Sequence, residues 1–234
     1  MLLAAGLGVL AAVPAQAAFT LDFEGMGSLH GIREFYNGGL SEPRQGAGDN
    51  GRMGTNYGVS VSQGGLAVID LDRCGPGDGI CNGLFANNPS GKSVMGTSSN
   101  RTTLNVAAGF TGELSFYHVT GADIFVSIYE GLGGNDGLSA IIAQRALTGG
   151  SFSQTCTGNP TGAPFCSWSK LTLQFNGTAR SVDFGLASYD DMTFGAPGTA
   201  GVPEPANWAM LIAGFGLVGA VSRRLRWVSR RRTA

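Results

Sequence analysis

The chain has 234 residues and is nearly neutral, with 15 Lys+Arg against 16 Asp+Glu. That balance hides an asymmetry: Arg223, Arg224, Arg226, Arg230, Arg231 and Arg232 crowd the last twelve positions, and setting them and Glu204 aside leaves nine basic residues against fifteen acidic ones. A mildly acidic body without a basic cluster excludes the usual electrostatic footprint of a nucleic-acid binder, while 39 glycines and few charges fit a turn-rich secreted β-protein.

The first element is an apolar stretch over 2–13, followed by Pro14-Ala15-Gln16-Ala17. A small-x-small triplet behind a hydrophobic core is a signal-peptidase site, so 1–17 is predicted to be a secretory signal peptide cut after Ala17. No Lys or Arg precedes the apolar core. Either the true start lies upstream or the α-amino group alone supplies the charge.

Residues 18–195 are expected to form one domain, with 196–201 as a glycine-bearing stalk. Period-two alternation dominates it. The stretch Phe19-Thr20-Leu21-Asp22-Phe23 is strand-like, and 25–56 is mostly loop. Further strands are predicted at 57–62, 66–71, 102–106, 114–117, 124–129, 171–175, 182–186 and 192–194. In one of these Ile124, Val126 and Ile128 face one way, and Phe125, Ser127 and Tyr129 the other. A turn is expected at Thr120-Gly121-Ala122, and Asn176-Gly177 suits a type I′ hairpin turn. The segment 141–147 fits a strand or a short helix. Many short strands without a long amphipathic helix predict an all-β domain, a jelly-roll-like β-sandwich.

Four cysteines fall in two local pairs, Cys74 with Cys81 and Cys156 with Cys166, each flanking a loop rich in glycine and proline. Disulfides suit an exported chain. Zinc is the weaker alternative, because neither spacing is Cys-x-x-Cys and His30 and His118 are distant in sequence.

Other chemical candidates carry less. Ser90-Gly91-Lys92-Ser93 resembles the end of a phosphate-binding loop but lacks the glycine at the required spacing, and is expected to be a turn. Asp70, Asp72 and Asp78 do not follow an EF-hand spacing, and 131–137, with Asn135 and Asp136, is a loop before it is a cation site. Ser115 with His30 or His118 lacks the surroundings of a nucleophile elbow. Glu113 and Glu130 would need a shared cleft to act as a glycosidase pair. Tyr36, Tyr57, Trp168 and Tyr189 are candidates for stacking on sugar rings.

The chain closes with Val202-Pro203-Glu204-Pro205, an uncharged run over 206–221, and the arginines. A helix of those sixteen residues extends about 24 Å, at the short end for a bilayer core of roughly 30 Å. Arginine stems snorkel to cover such a shortfall, and Trp208 and Trp227 sit where interfacial anchors belong. The positive-inside rule keeps Arg223, Arg224 and Arg226 cytoplasmic and places everything before Pro203 outside the inner membrane. This three-part tail, 202–232, resembles the PEP-CTERM sorting signal. The resemblance implies an exosortase that processes the chain at Val202, Pro203, Glu204 and Pro205, a transient inner-membrane intermediate, and final residence at the surface or in the extracellular matrix of a Gram-negative bacterium. The same tail is also catalogued as an ice-binding protein C-terminal domain, although the body lacks the regular Thr-x-Thr arrays that an ice-binding face calls for.

The ends of the body carry a second resemblance. Leu21-Asp22-Phe23-Glu24-Gly25 and Tyr189-Asp190-Asp191-Met192-Thr193-Phe194 are similar to the first and last strands of jelly-roll carbohydrate-binding modules, which lie side by side and hold a structural calcium ion. Carried over, Glu24 and Asp191 are ligands, with Asp22 and Asp190 set apart because alternation sends neighbours to opposite faces. Together these readings imply a non-enzymatic, exported β-sandwich associated with exopolysaccharide or biofilm matrix. A carbohydrate-binding module is the alternative, and a glycoside hydrolase the third.

Overall fold

We describe the protein from a computed structural model, over residues 18–43, 50–70, 73–78, 81, 84–135, 137–150 and 162–195. The predicted signal peptide, the stalk 196–201, Val202–Pro205, the apolar run 206–221 and the arginines lie outside the described residues. Among those described, no helix is long and apolar enough to cross a membrane.

All regular structure in this part is β. The strands are β1 (Phe19–Leu21), β2 (Val59–Val61), β3 (Gly65–Ile69), β4 (Ser93–Thr97), β5 (Thr102–Val119), β6 (Ile124–Tyr129), β7 (Ile141–Leu147), β8 (Ser169–Phe184) and β9 (Ser188–Phe194). They pair antiparallel in the order β3-β4-β9-β5-β8-β6-β7, with β1 on β9 and β2 on β5. The first and last strands are neighbours, in register Leu21 to Met192 and Phe19 to Phe194.

Two long strands organise the sheet. β8 runs along one edge of β5; along the other, β2 pairs with 104–106 and β9 with 114–119. The β5–β8 register slips between Asn105 and Phe110 and again between Thr111 and Glu113. Glycines with positive φ stand at these slips, Gly109 at 78°, Gly112 at 83° and Gly177 at 89°, where side-chain-bearing residues would be strained.

Three expectations are corrected by these strands. The segments 102–106 and 114–117 belong to one strand, not two. Asn176-Gly177 is not a hairpin turn: both halves of β8 pair with the equally long β5, so the glycine serves a bulge in the ladder. Leu186 does not continue the strand that holds Val182 and Phe184; β8 ends at Phe184, and Leu186 is exposed in the turn to β9. The ambiguous segment 141–147 is a strand, and β4 is one that the sequence reading did not anticipate.

Alternation holds where only one face is covered. Val126 and Ile128 are fully buried and Phe125 is 59% exposed. Ser127 and Tyr129 are buried as well, because the following glycine-rich loop lies over that face. Its Gly134 and Asn135 amides donate to Ser181 Oγ and Asp183 Oδ2 at 3.0 Å each, and Arg101 pairs with Asp183 at 3.0 Å.

One large apolar cluster fills the interior, centred on Leu21, Phe23, Leu104, Phe116, Phe184 and Tyr189. Phe116 meets Phe184 and Tyr189 edge-on at 5.7 and 5.5 Å between ring centroids, the favoured geometry for aromatic pairs.

Candidate functional site: a buried acidic pocket under the 88–93 turn

Where β1 meets β9 the chain brings two carboxylates, Glu24 and Asp190, toward one turn. After Leu21, Asp22 Oδ1 accepts the Glu24 amide at 3.2 Å and the Tyr36 hydroxyl at 3.4 Å, and Phe23 takes a positive φ of 59°. The reversal sends Asp22 outward and turns Glu24 toward 88–93. There Glu24 Oε1 accepts the Lys92 and Ser93 amides at 2.8 and 2.7 Å.

From the other side comes Asp190, fully buried. Its Oδ2 accepts the Ser90 amide at 3.1 Å, and its Oδ1 accepts the Asp191 amide at 2.8 Å. A bulge aims it. The β5–β9 register slips by one residue between Ser115 and Tyr117, and Asp191, at φ 47°, sits at that slip. Strict alternation from Met192 and Phe194 would send Tyr189 away from the core. The extra residue instead turns Tyr189 into the core and Asp190 under the turn. Asp190 and Asp191 do face different ways, as expected of neighbours, but Asp190 is the buried carboxylate and Asp191 is half-exposed.

The pocket is short of positive charge. Burial raises the Asp190 pKa from 3.8 to about 7; the Ser90 and Asp191 amides oppose the rise, and the Asp191 and Glu24 charges add to it. Among the described residues Asp190 makes no ion pair. Asn88, only 5% exposed, donates through Nδ2 to the Ser90 carbonyl and, at 3.1 Å, to the Gly91 carbonyl. Its Oδ1 is buried without a hydrogen-bond partner.

These features fit a hard cation. Burying a carboxylate uncompensated is costly, and calcium takes six to eight oxygens. No three His, Cys, Asp or Glu side chains among the described residues gather as a ligand cluster. Glu24 and Asp190 would thus supply two side chains, with Asn88 Oδ1 and oxygens of the turn completing the set.

The remaining candidates have structural employment. Asp78 pairs with Lys92 Nζ at 2.6 Å; burial pushes its pKa up, but Lys92 and the Gly75 amide hold it below the usual value. Asp70 is buried, while Asp72 and Asp136 lie outside the described residues. His30 Nδ1 meets Ser41 Oγ at 2.9 Å in the interior. His118 is on β5, its pKa lowered by burial. Glu113 pairs with Gln174 while Tyr129, next to Glu130, pairs with Ser181, so the two glutamates belong to opposite halves of β8. Tyr36 and Tyr189 are core residues; Tyr57 stacks on Phe19 at 5.3 Å, and Trp168 Nε1 donates to the Ala86 carbonyl at 3.0 Å.

The Cys74–Cys81 disulfide is formed. Cys166 is buried and disulfide-bonded, and Cys156 lies outside the described residues. Sequence reasoning missed the apolar cleft of about 470 Å³ lined by Leu29, Val68, Leu84, Phe85, Phe165 and Leu186, which is assembled from segments remote in sequence.

No family model matches the chain, and no curated protein is similar to it by sequence. Among solved structures it is similar to the K2 cleaved adhesin domain of Lys-gingipain, at 16% identity and a TM-score of 0.43 over 76% of this chain and 99% of that one. It is also similar to a variant of the family 29 carbohydrate binding module CBM29-2, at 11% identity and TM-score 0.32 over 60% and 84% of the two chains. A third is the module CBM6cm-2 from Cellvibrio mixtus lichenase 5A in complex with cellotriose, at 8%, 0.30, 47% and 81%.

Proposed function

We propose that this is an exported, non-catalytic surface or matrix protein with a jelly-roll-like β-sandwich body that associates with extracellular polysaccharide. An exosortase processes it at 202–205, after the helix 206–221 has held it in the inner membrane. A calcium ion between Glu24 and Asp190 ties the first strand to the last by neutralising the buried carboxylate.

The observation that carries the reading of the body is the fully buried Asp190, aimed by its bulge at the Glu24-bound turn without an ion-pair partner among the described residues. An all-β body with a disulfide supports the export reading, since disulfides persist in oxidising compartments. Export and processing rest on the two terminal sequence patterns.

The deciding experiment is co-sedimentation of the purified exported protein with the extracellular polymer of its host, with calcium and with chelator. Calcium-dependent retention is expected. Protein left in the supernatant under both conditions would remove the polysaccharide reading. The narrower alternative, a carbohydrate-binding module, is favoured by exposed Phe125, an aromatic ring available for stacking; Phe125→Ala would then abolish retention by a defined oligosaccharide.

A further inference from the structure

The turn that closes the acidic pocket is held from behind by the Cys74–Cys81 loop and the residues beside it. The turn 88–93 contains Pro89, Ser90 and Gly91, with Gly91 at φ 44°, and leads into β4 at Ser93. Its front face points to the carboxylates through the Ser90, Lys92 and Ser93 amides.

Its back face meets the disulfide loop and the residues leading into it. Arg73, next to Cys74, donates through Nη1 to the Gly91 carbonyl. The Lys92 ammonium lies 2.6 Å from both oxygens of Asp78, which stands inside the loop. The Asp70 amide donates to the Lys92 carbonyl at 3.0 Å. The loop is in turn fixed to the body, the Ser28 amide donating to the Asp78 carbonyl at 2.9 Å and Arg52 to the Gly77 carbonyl at 3.0 Å. Lys92 thus bonds both ways, by its amide to Glu24 and by its side chain to Asp78.

We propose that the disulfide loop is the positioning element of the cation site: Lys92 with Asp78, and Arg73, hold the turn at the distance a cation requires, and the Cys74–Cys81 bond sets the affinity by limiting the loop's freedom. This rests on the cation reading above and adds its regulation. Opening the bond releases Asp78 from a short closed loop and loosens Arg73 beside it, so that ordering the turn must then be met by the ion's own binding energy. Groups that orient ligands without touching the metal typically change affinity by about 10–100-fold.

The test is calcium titration of the full chain by calorimetry, with the calcium-dependent rise in Tm as a second readout. Cys74→Ser with Cys81→Ser opens this loop without reducing the other disulfide. Lys92→Met keeps the amide that bonds Glu24 and removes only the ammonium, and Lys92→Arg restores a cation opposite Asp78. We expect affinity about 10–100-fold weaker in the double-serine and methionine variants, and restored by arginine. If the double-serine variant does not fold, the methionine and arginine pair decides alone. Affinity within twofold of the unaltered protein in Lys92→Met overturns the inference. Absence of saturable calcium binding by the unaltered, oxidised protein overturns the cation reading itself.

Discussion

Gly91 lies against the carboxylate of Glu24 so closely that a β-carbon on it would fall 2.2 Å from Oε1. The contact explains why a glycine stands in the middle of the turn: the amides on either side can reach Glu24 and Asp190 only if nothing projects between them.

Gly91→Ala should therefore disable the pocket. A side chain at φ 44° is strained by about 1–2 kcal/mol, and relief of the clash displaces Glu24 from the Lys92 and Ser93 amides. We expect a lower Tm in chelator and loss of the calcium-dependent increment. A differential scan with and without calcium checks both, and a full increment in the variant would show that the turn does not form the cation's wall.

Asp190 makes a pH prediction for the protein in chelator. Its folded pKa is raised from 3.8 to about 7, so between these values the native state holds a proton that the unfolded chain has released. Stability should be greatest below about pH 4 as far as this group is concerned, and fall as pH rises to about 7. Asp190→Asn should flatten that decline, and saturating calcium should do the same by compensating the ionised form. Denaturant melts at pH 4.5, 6 and 7.5 give the slope; equal slopes for Asp190→Asn and the unaltered protein would contradict it.

Phe116 is fully buried against Phe184 and Tyr189. Truncating it to alanine should lower stability by about 3–5 kcal/mol, read as a shifted urea midpoint with an unchanged slope. Phe125→Ala, on the exposed face of β6, should change stability by less than about 0.5 kcal/mol. A large loss at Phe125 would mean that another surface covers it.

Processing at the Pro-Glu-Pro element predicts a mature protein without Trp208 and the residues after it. Intact-mass analysis of protein extracted from the cell surface measures this, and recovery of the arginine-bearing terminus there would leave a plain tail anchor. Non-reducing peptide mapping of the same sample should link Cys156 to Cys166.

By itself the sequence determined that the body is all-β, the core positions on β6 and β8 and the local cysteine pair 74–81; the pairing of the first strand with the last was implied by the resemblance. Period-two patterning and short loop closure are local properties, legible wherever a strand has one covered face. Tertiary structure alone decided that Thr102–Val119 and Ser169–Phe184 are single strands, because a glycine at a ladder slip and a glycine in a turn read alike until the pairing partner is known. It also decided which way Asp190 faces. Strict alternation from Met192 and Phe194 would point Asp190 into the core and Tyr189 out, and the bulge exchanges them by inserting one residue against the partner strand. The Lys92 link between Asp78 and Glu24 joins segments 14 and 68 residues away from it, and only packing brings such segments together.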